Sequence, residues 1–168
     1  NTAFYECTNL TSVLLPTGVT NIGQDAFSGC AQLGSASIPN TVTNIGWNAF
    51  SRSGLTNIVI PDGVLRIGNG AFGTCTKLVA VVLPERLLEI GDDLFHGCAS
   101  LKYVAMGGNV ERIGHYAFRN CTQLLSIELS GNLKLIGDWA FGNCENLGEM
   151  EIPEKVFRIY DRACVFCG

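Results

Sequence analysis

The dipeptide Ile-Gly recurs at Ile22, Ile45, Ile67, Ile90, Ile113 and Ile136, and Ile159 opens a last, partial copy. The steps between these isoleucines are 23, 22, 23, 23, 23 and 23 residues. A fixed period of this length restricts the chain to a solenoid. Each copy is one turn, too small to enclose a core, and buries its apolar face only against the turns before and after it. The 168 residues therefore read as one continuous domain, 1–168, of about seven turns. The stretch from Ile22 to Asn44, IGQDAFSGCAQLGSASIPNTVTN, is the unit that the rest repeats. Asn1-Thr2-Ala3-Phe4 is in phase with Gln24-Asp25-Ala26-Phe27, and the chain stops just after Cys167. Solenoids normally end in polar capping turns. Neither end reads as one, so we expect a window of a longer chain, or ends covered by neighbouring repeats or subunits.

Aligned, the copies give I-G-x-x-A-F-x-G/N-C-x-x-L-x-x-I-x-I-P-x-x-V-x-x. After the Leu, residues alternate inward and outward as a strand requires. Val13 and Leu15, Ile58 and Ile60, Val81 and Leu83, and Ile127 and Leu129 are the inward pairs. Proline, at 16, 39, 61, 84 and 153, ends the strand because it lacks the ladder N–H. Stacked turns then form a parallel sheet with about 5 Å between rungs. The Ala-Phe segment predicts one helical turn on the opposite side, leaving through Gly29, Gly97, Asn120 or Asn143, residue types that tolerate a left-handed conformation. Phe27, Phe50, Phe72, Phe95, Phe118 and Phe141 fall in one buried column, and the Val-x-x-Ile spacing suits a short second strand.

These motifs, IGxxAFxxC, LxxIxIP and VxxIG, resemble the BspA-like leucine-rich repeat over essentially the whole chain. The resemblance implies an α/β repeat that is mainly β: a curved leucine-rich-repeat solenoid with a parallel sheet on one face and short helical or 3-10 turns on the other. It also implies a cell-surface or extracellular protein that binds macromolecular partners. Departures from the pattern are few. The turn at Ile45 is one residue short, with Ser53 near the cysteine column; Met106-Gly107 and Leu129-Ser130 lack the Pro; and Cys164 takes the Phe position.

Charge narrows the partners. The net charge is −4 with a pI near 5.1, which argues against a nucleic-acid ligand, since that needs a basic stripe. Residues 1–84 carry three basic and three acidic groups, so the whole excess lies in 85–168, with eight basic and twelve acidic. The first half is solvated by Ser, Thr and Asn instead, or else is covered by something. No apolar run approaches the roughly 20 residues of a transmembrane helix.

The eight cysteines read as packing rather than as a disulfide framework. Cys7, Cys30, Cys75, Cys98, Cys121, Cys144 and Cys167 share one phase, one per turn, as a buried column of free thiols. Rungs about 5 Å apart exceed the ~3.5–4.5 Å that bridged Cβ atoms need. Cys164-Val165-Phe166-Cys167 lacks the second pair or nearby His that redox or zinc chemistry would use, and reads as a truncated last turn.

No catalytic constellation is present, and the sequence implies neither an enzyme nor a cofactor. His96 and His115 fall at outward positions without partners at a meaningful spacing, and Asp92-Asp93 reads as stabilisation of a helical start. The outward strand positions say more. One column runs Leu14, Ser37, Val59, Val82, Ala105, Glu128, Glu151, and the next runs Ser12, Ser35, Asn57, Ala80, Tyr103, Ser126, Glu149. An apolar patch that turns acidic suits protein recognition, while β-propensity on a solvated sheet is the plainer alternative. Glu128, Glu149 and Glu151 would hold a cation or attract a basic partner; an open sheet without a pocket-forming insertion argues against a glycosidase-like pair. Elsewhere, Tyr116, Trp139 and Arg162 share an outward column with Trp47 adjacent, expected to stack within the chain or to form a lateral contact. Asn9-Leu10-Thr11 and Asn120-Cys121-Thr122 match the N-glycosylation pattern. The functional expectation is a non-enzymatic protein-binding or adhesion module acting through the sheet face. The alternative is a scaffold or spacer solenoid built end to end.

Overall fold

The computed structural model describes residues 1–167. Each turn contributes to two parallel ladders. The three-residue strands that follow the Leu are β1 (Ser12–Leu14), β3 (Ser35–Ser37), β5 (Asn57–Val59), β7 (Ala80–Val82) and β9 (Tyr103–Ala105). The two-residue strands that carry the Ile of Ile-Gly are β2 (Asn21–Ile22), β4 (Asn44–Ile45), β6 (Arg66–Ile67), β8 (Glu89–Ile90), β10 (Arg112–Ile113), β11 (Leu135–Ile136) and β12 (Arg158–Ile159). The first ladder is paired as β1-β3 and β5-β7-β9, the second as β2-β4-β6 and β8-β10-β11-β12. Six whole turns lie between Ile22 and Ile159.

The expected helical turn at Ala-Phe does not form, and no helix occurs among the described residues. The hydrogen bonds give the reason. Ala26, Ser28 and Cys30 donate N–H to the carbonyls of Gly23, Asp25 and Phe27 in their own turn, whereas Asp25, Phe27 and Gly29 donate to Trp47, Ala49 and Ser51 of the next turn, at 2.7–2.9 Å. Alternate amides thus point along the solenoid, which an α-helix forbids because all its amides point along the helix axis. The geometry needs two left-handed residues per turn. One set is Gly29, Arg52, Thr74, Gly97, Asn120 and Asn143, the exit positions. The second, which the sequence reading missed, includes Asp25, Asn48, Gly70, Asp93, Tyr116, Trp139 and Arg162.

The six phenylalanines form the expected column. Ring centroids are 5.2–5.7 Å apart from Phe27 to Phe141 with nearly parallel planes, and Phe4 extends the stack at 5.1 Å. The cysteine column lies beside it. Cys75, Cys98, Cys121 and Cys144 donate S–H to the carbonyls of Phe50, Phe72, Phe95 and Phe118 in the preceding turn, at 3.1–3.2 Å. The thiol therefore does more than fill space. It caps a buried carbonyl, which alanine could not do.

One cysteine expectation fails. Cys164 and Cys167 are joined in a disulfide, while Cys7, Cys30, Cys75, Cys98, Cys121 and Cys144 are free. The rung-spacing argument governs cysteines of different turns and does not reach two within one turn. With Cys164 in place of the Phe, the last turn carries two thiols, and their Cα atoms are 5.7 Å apart, within bridging range.

At Gly23, Gly46, Gly68, Gly114 and Gly137 the glycine after the isoleucine is dictated by close approach to the backbone of the preceding turn. A Cβ on Gly137 would sit 2.6 Å from the carbonyl carbon of Gly114 and from the amide nitrogen of His115. Because both obstacles are backbone, Gly137→Ala should destabilise the chain by about 1–3 kcal/mol, as overpacked cores do. Gly131→Ala, where a Cβ meets nothing within 4 Å, should be near neutral. Urea denaturation of the two variants distinguishes them, and equal stabilities would contradict the packing.

Candidate binding face

The outward columns expected from the alternation are realised where the first ladder is continuous. The register pairs Asn57 with Ala80 and Tyr103, and Val59 with Val82 and Ala105. Ile58, Val81 and Val104 between them are buried. Val59, Val82 and Tyr103 are therefore exposed side by side, with Ala80 and Ala105 completing the patch. Leu14, the most exposed large apolar residue at 80%, stands on the separate β1-β3 pair. No bridge joins β3 to β5, so Leu14 and Val59 lie on one column but not on one hydrogen-bonded sheet.

The ladder also stops after β9. Ser126–Glu128 and Glu149–Glu151 form no strand, although Ile127 and Leu129 still point into the core. Glu128 and Glu151 would face each other on adjacent rungs, and like charges directly opposite weaken a pair. What results is an open concavity of about 490 Å³ lined by Ser126, Glu128, Glu149, Glu151 and Glu154. Among the described residues no group of three His, Cys, Asp or Glu side chains has the geometry of a metal site. The carboxylates instead leave a negative field at this end of the face.

On the opposite side, Tyr116, Trp139 and Arg162 do share a column, but the two rings are joined by a cation the sequence reading overlooked. The Arg119 guanidinium lies 5.5 Å from the Tyr116 ring and 4.9 Å from the Trp139 ring, and Arg162 covers Trp139 at 5.6 Å. Arg119 sits three residues after Tyr116, a spacing that identifies neighbours only once the backbone path is known. Trp47 is remote from this cluster and exposed.

The histidines also have partners. The backbone N–H of Asp138 donates to Nδ1 of His115 at 3.0 Å, and the N–H of His115 donates to the Asp92 carboxylate at 2.9 Å. Asp92 additionally holds Arg112 at 2.9 Å, so it ties turns together rather than capping a helix. His96 lies 3.7 Å from Asp93. The Asp93 carboxyl is pushed up by partial burial, opposed by His96. Of the two sequons, Asn9 is exposed, whereas Asn120 accepts a 2.7 Å hydrogen bond from Asn143 at the left-handed exit of its turn.

A parallel β solenoid of 22–23-residue turns, with stacked Phe, Cys, Leu and Ile columns inside and an open sheet face, has the form of a leucine-rich-repeat protein. The family model for the BspA type leucine rich repeat region matches residues 1–107 and 44–168, with six copies. The chain belongs to that family. Among solved structures it is similar to a leucine-rich repeat protein of Bacteroides ovatus, with 29% identity and a TM-score of 0.83, over 94% of this chain and 47% of that one. A leucine-rich repeat protein of Eubacterium ventriosum gives 28% and 0.86, over 94% and 43%. A leucine rich cell surface protein of Faecalibacterium prausnitzii gives 30% and 0.60, over 97% and 53%. The chain thus spans about half the length of these relatives. No curated protein matches it.

Proposed function

We propose that the chain is a non-enzymatic protein-binding or adhesion module of a cell-surface or secreted protein, and that it meets its partner on the β5-β7-β9 face. The observation that carries this reading is the exposure of Val59 and Val82 in register, with Tyr103 in the adjacent outward column one rung on, on strands whose alternate residues already fill the core. An apolar centre with a polar rim is the anatomy of a recognition surface, and Tyr is a frequent anchor there. The acidic concavity at Glu128, Glu149 and Glu151 continues the same outward columns and favours a partner with a basic edge. The similarity to a cell surface protein of Faecalibacterium prausnitzii supports the location. Among the described residues no helix is long and apolar enough to cross a membrane.

Val82→Asp and Tyr103→Ala should each reduce partner capture at least tenfold while leaving the far-ultraviolet dichroism unchanged, since neither side chain fills the core. Surface plasmon resonance against the partner retrieved with the unaltered chain is the measurement. Undiminished capture by both variants would overturn the assignment to this face.

A further inference from the structure

The second ladder is interrupted once among the described residues, between β6 and β8. Elsewhere its bonds are regular. The glycine N–H donates to the isoleucine carbonyl of the preceding turn, Gly46 to Ile22, Gly68 to Ile45, Gly114 to Ile90 and Gly137 to Ile113, at 2.7–2.9 Å. An outer bond accompanies it, as from Leu65 to Thr43 or from Glu111 to Leu88. Between β6 and β8 the equivalents, Gly91 N–H to Ile67 and Leu88 N–H to Leu65, are not made. Main-chain donors and acceptors are left open at one place in an otherwise closed strip.

A groove of about 460 Å³ lies over this interruption. Trp47, Leu65 and Leu88 line it and are exposed at 62%, 49% and 60%. Trp47 is the odd member of its column. Asn1, Asp92 and His115 each use a side-chain acceptor to hold the amide of the next turn, at 3.2, 2.9 and 3.0 Å. An indole has only a donor, so Trp47 gives up that bond and presents an aromatic face to solvent.

Two charged residues line the groove, Arg66 and Glu89. Arg66 precedes Glu89 and Arg112 in one column, but the Glu89 carboxylate is engaged by Arg112, which holds Asp92 as well. Among the described residues Arg66 makes no ion pair and is exposed. A free guanidinium beside three exposed apolar side chains, in a chain of net charge −4, selects for a carboxylate.

We propose that this groove binds an extended peptide segment in which an acidic residue is flanked by large apolar side chains. The carboxylate pairs with Arg66, and the apolar side chains cover Trp47, Leu65 and Leu88. The site is separate from the β5-β7-β9 face, so either assignment can fail without the other.

The test is selection of a random heptapeptide phage library on the unaltered chain, followed by selection on variants. Enrichment of Asp or Glu next to Leu, Ile, Phe or Trp is expected. A synthetic peptide of the enriched sequence should bind at least tenfold more weakly to Trp47→Ala and equally well to Val82→Asp. Repeating the selection on Arg66→Glu should replace the acidic residue by Lys or Arg, a reversal that loss of folding cannot produce. Peptides without a charge preference, the same peptides on Arg66→Glu, or loss of binding in Val82→Asp alone would overturn the proposal. Failure to enrich any peptide, with Trp47-dependent binding of neutral glycans on an array, would overturn it in favour of a saccharide.

Discussion

Phe118→Ala should cost about 3–5 kcal/mol of stability, the range for truncating a fully buried aromatic side chain. Phe118 is wholly inaccessible and lies between Phe95 at 5.4 Å and Phe141 at 5.3 Å, with interplanar angles of 15° and 4°. Two losses combine. The cavity cannot close, because backbone bonds hold the flanking turns, Phe95 N–H to Ala117 at 2.8 Å and Phe118 N–H to Ala140 at 2.7 Å. Both stacking contacts also vanish, at about 0.5–1.5 kcal/mol each beyond area burial. Phe118→Leu keeps most of the volume and should cost less than half as much. Urea unfolding followed by far-ultraviolet dichroism measures both, with the exposed Tyr103→Ala as a reference that should move little. A Phe118→Ala cost below about 1 kcal/mol, the scale of an ordinary surface change, would contradict a continuous phenyl column.

Raising the pH should destabilise the chain through its cysteine column. Burial pushes the Cys144 thiol up to about 12 from 9.0, offset in part by its hydrogen bond at Cys121. Burial also raises Cys121 and Cys98 well above the ordinary thiol range. Below about pH 9 these thiols are protonated in both states and the shift has no effect on stability. Between 9 and 12 the unfolded chain releases protons that the folded chain retains, so stability falls as pH rises. The slope is about 1.4 kcal/mol per unit for each such group, and Cys144 alone removes on the order of 4 kcal/mol across the window. Cys98 and Cys121 act in the same direction, while hydrogen bonding with Cys98 lowers Cys75 and opposes them in part. The urea midpoint should hold up to pH 9 and then drop steeply, and a flat profile to pH 11 would show that the column is not buried. Thiol titration at pH 8 gives a second check: the exposed Cys7 should react at once, and Cys75, Cys98, Cys121 and Cys144 only in denaturant.

The sequence read alone was most informative where periodicity and side-chain type act together. The isoleucine spacing gave the solenoid, alternation after Leu gave the inward Ile58, Val81 and Ile127, and the phase of Phe27 through Phe141 gave the stacked column. Each follows from one residue type in one repeated environment, so seven copies report the same constraint. The outward patch at Val59, Val82 and Tyr103 was legible for the same reason, as strand alternation leaves only one other face.

What only the tertiary structure decided are the features that depend on where the backbone goes between those fixed points. The Ala-Phe segment had the composition of a helical turn, yet its alternate amides bond to the next turn, because stacking at this spacing satisfies them better than a helix too short to propagate. Arg119 joins Tyr116 to Trp139 because two left-handed residues per turn redirect its side chain. The Cys164–Cys167 disulfide depends on the path of the last turn, which brings the thiol at the Phe position within bridging range of the next. The interruptions of the ladders, after β9 and between β6 and β8, depend on how each turn sits on its neighbour. A repeat specifies what its members share. The differences between members, such as Glu128 facing Glu151 or Trp47 in a column of acceptors, act only through contacts that exist once the turns are stacked.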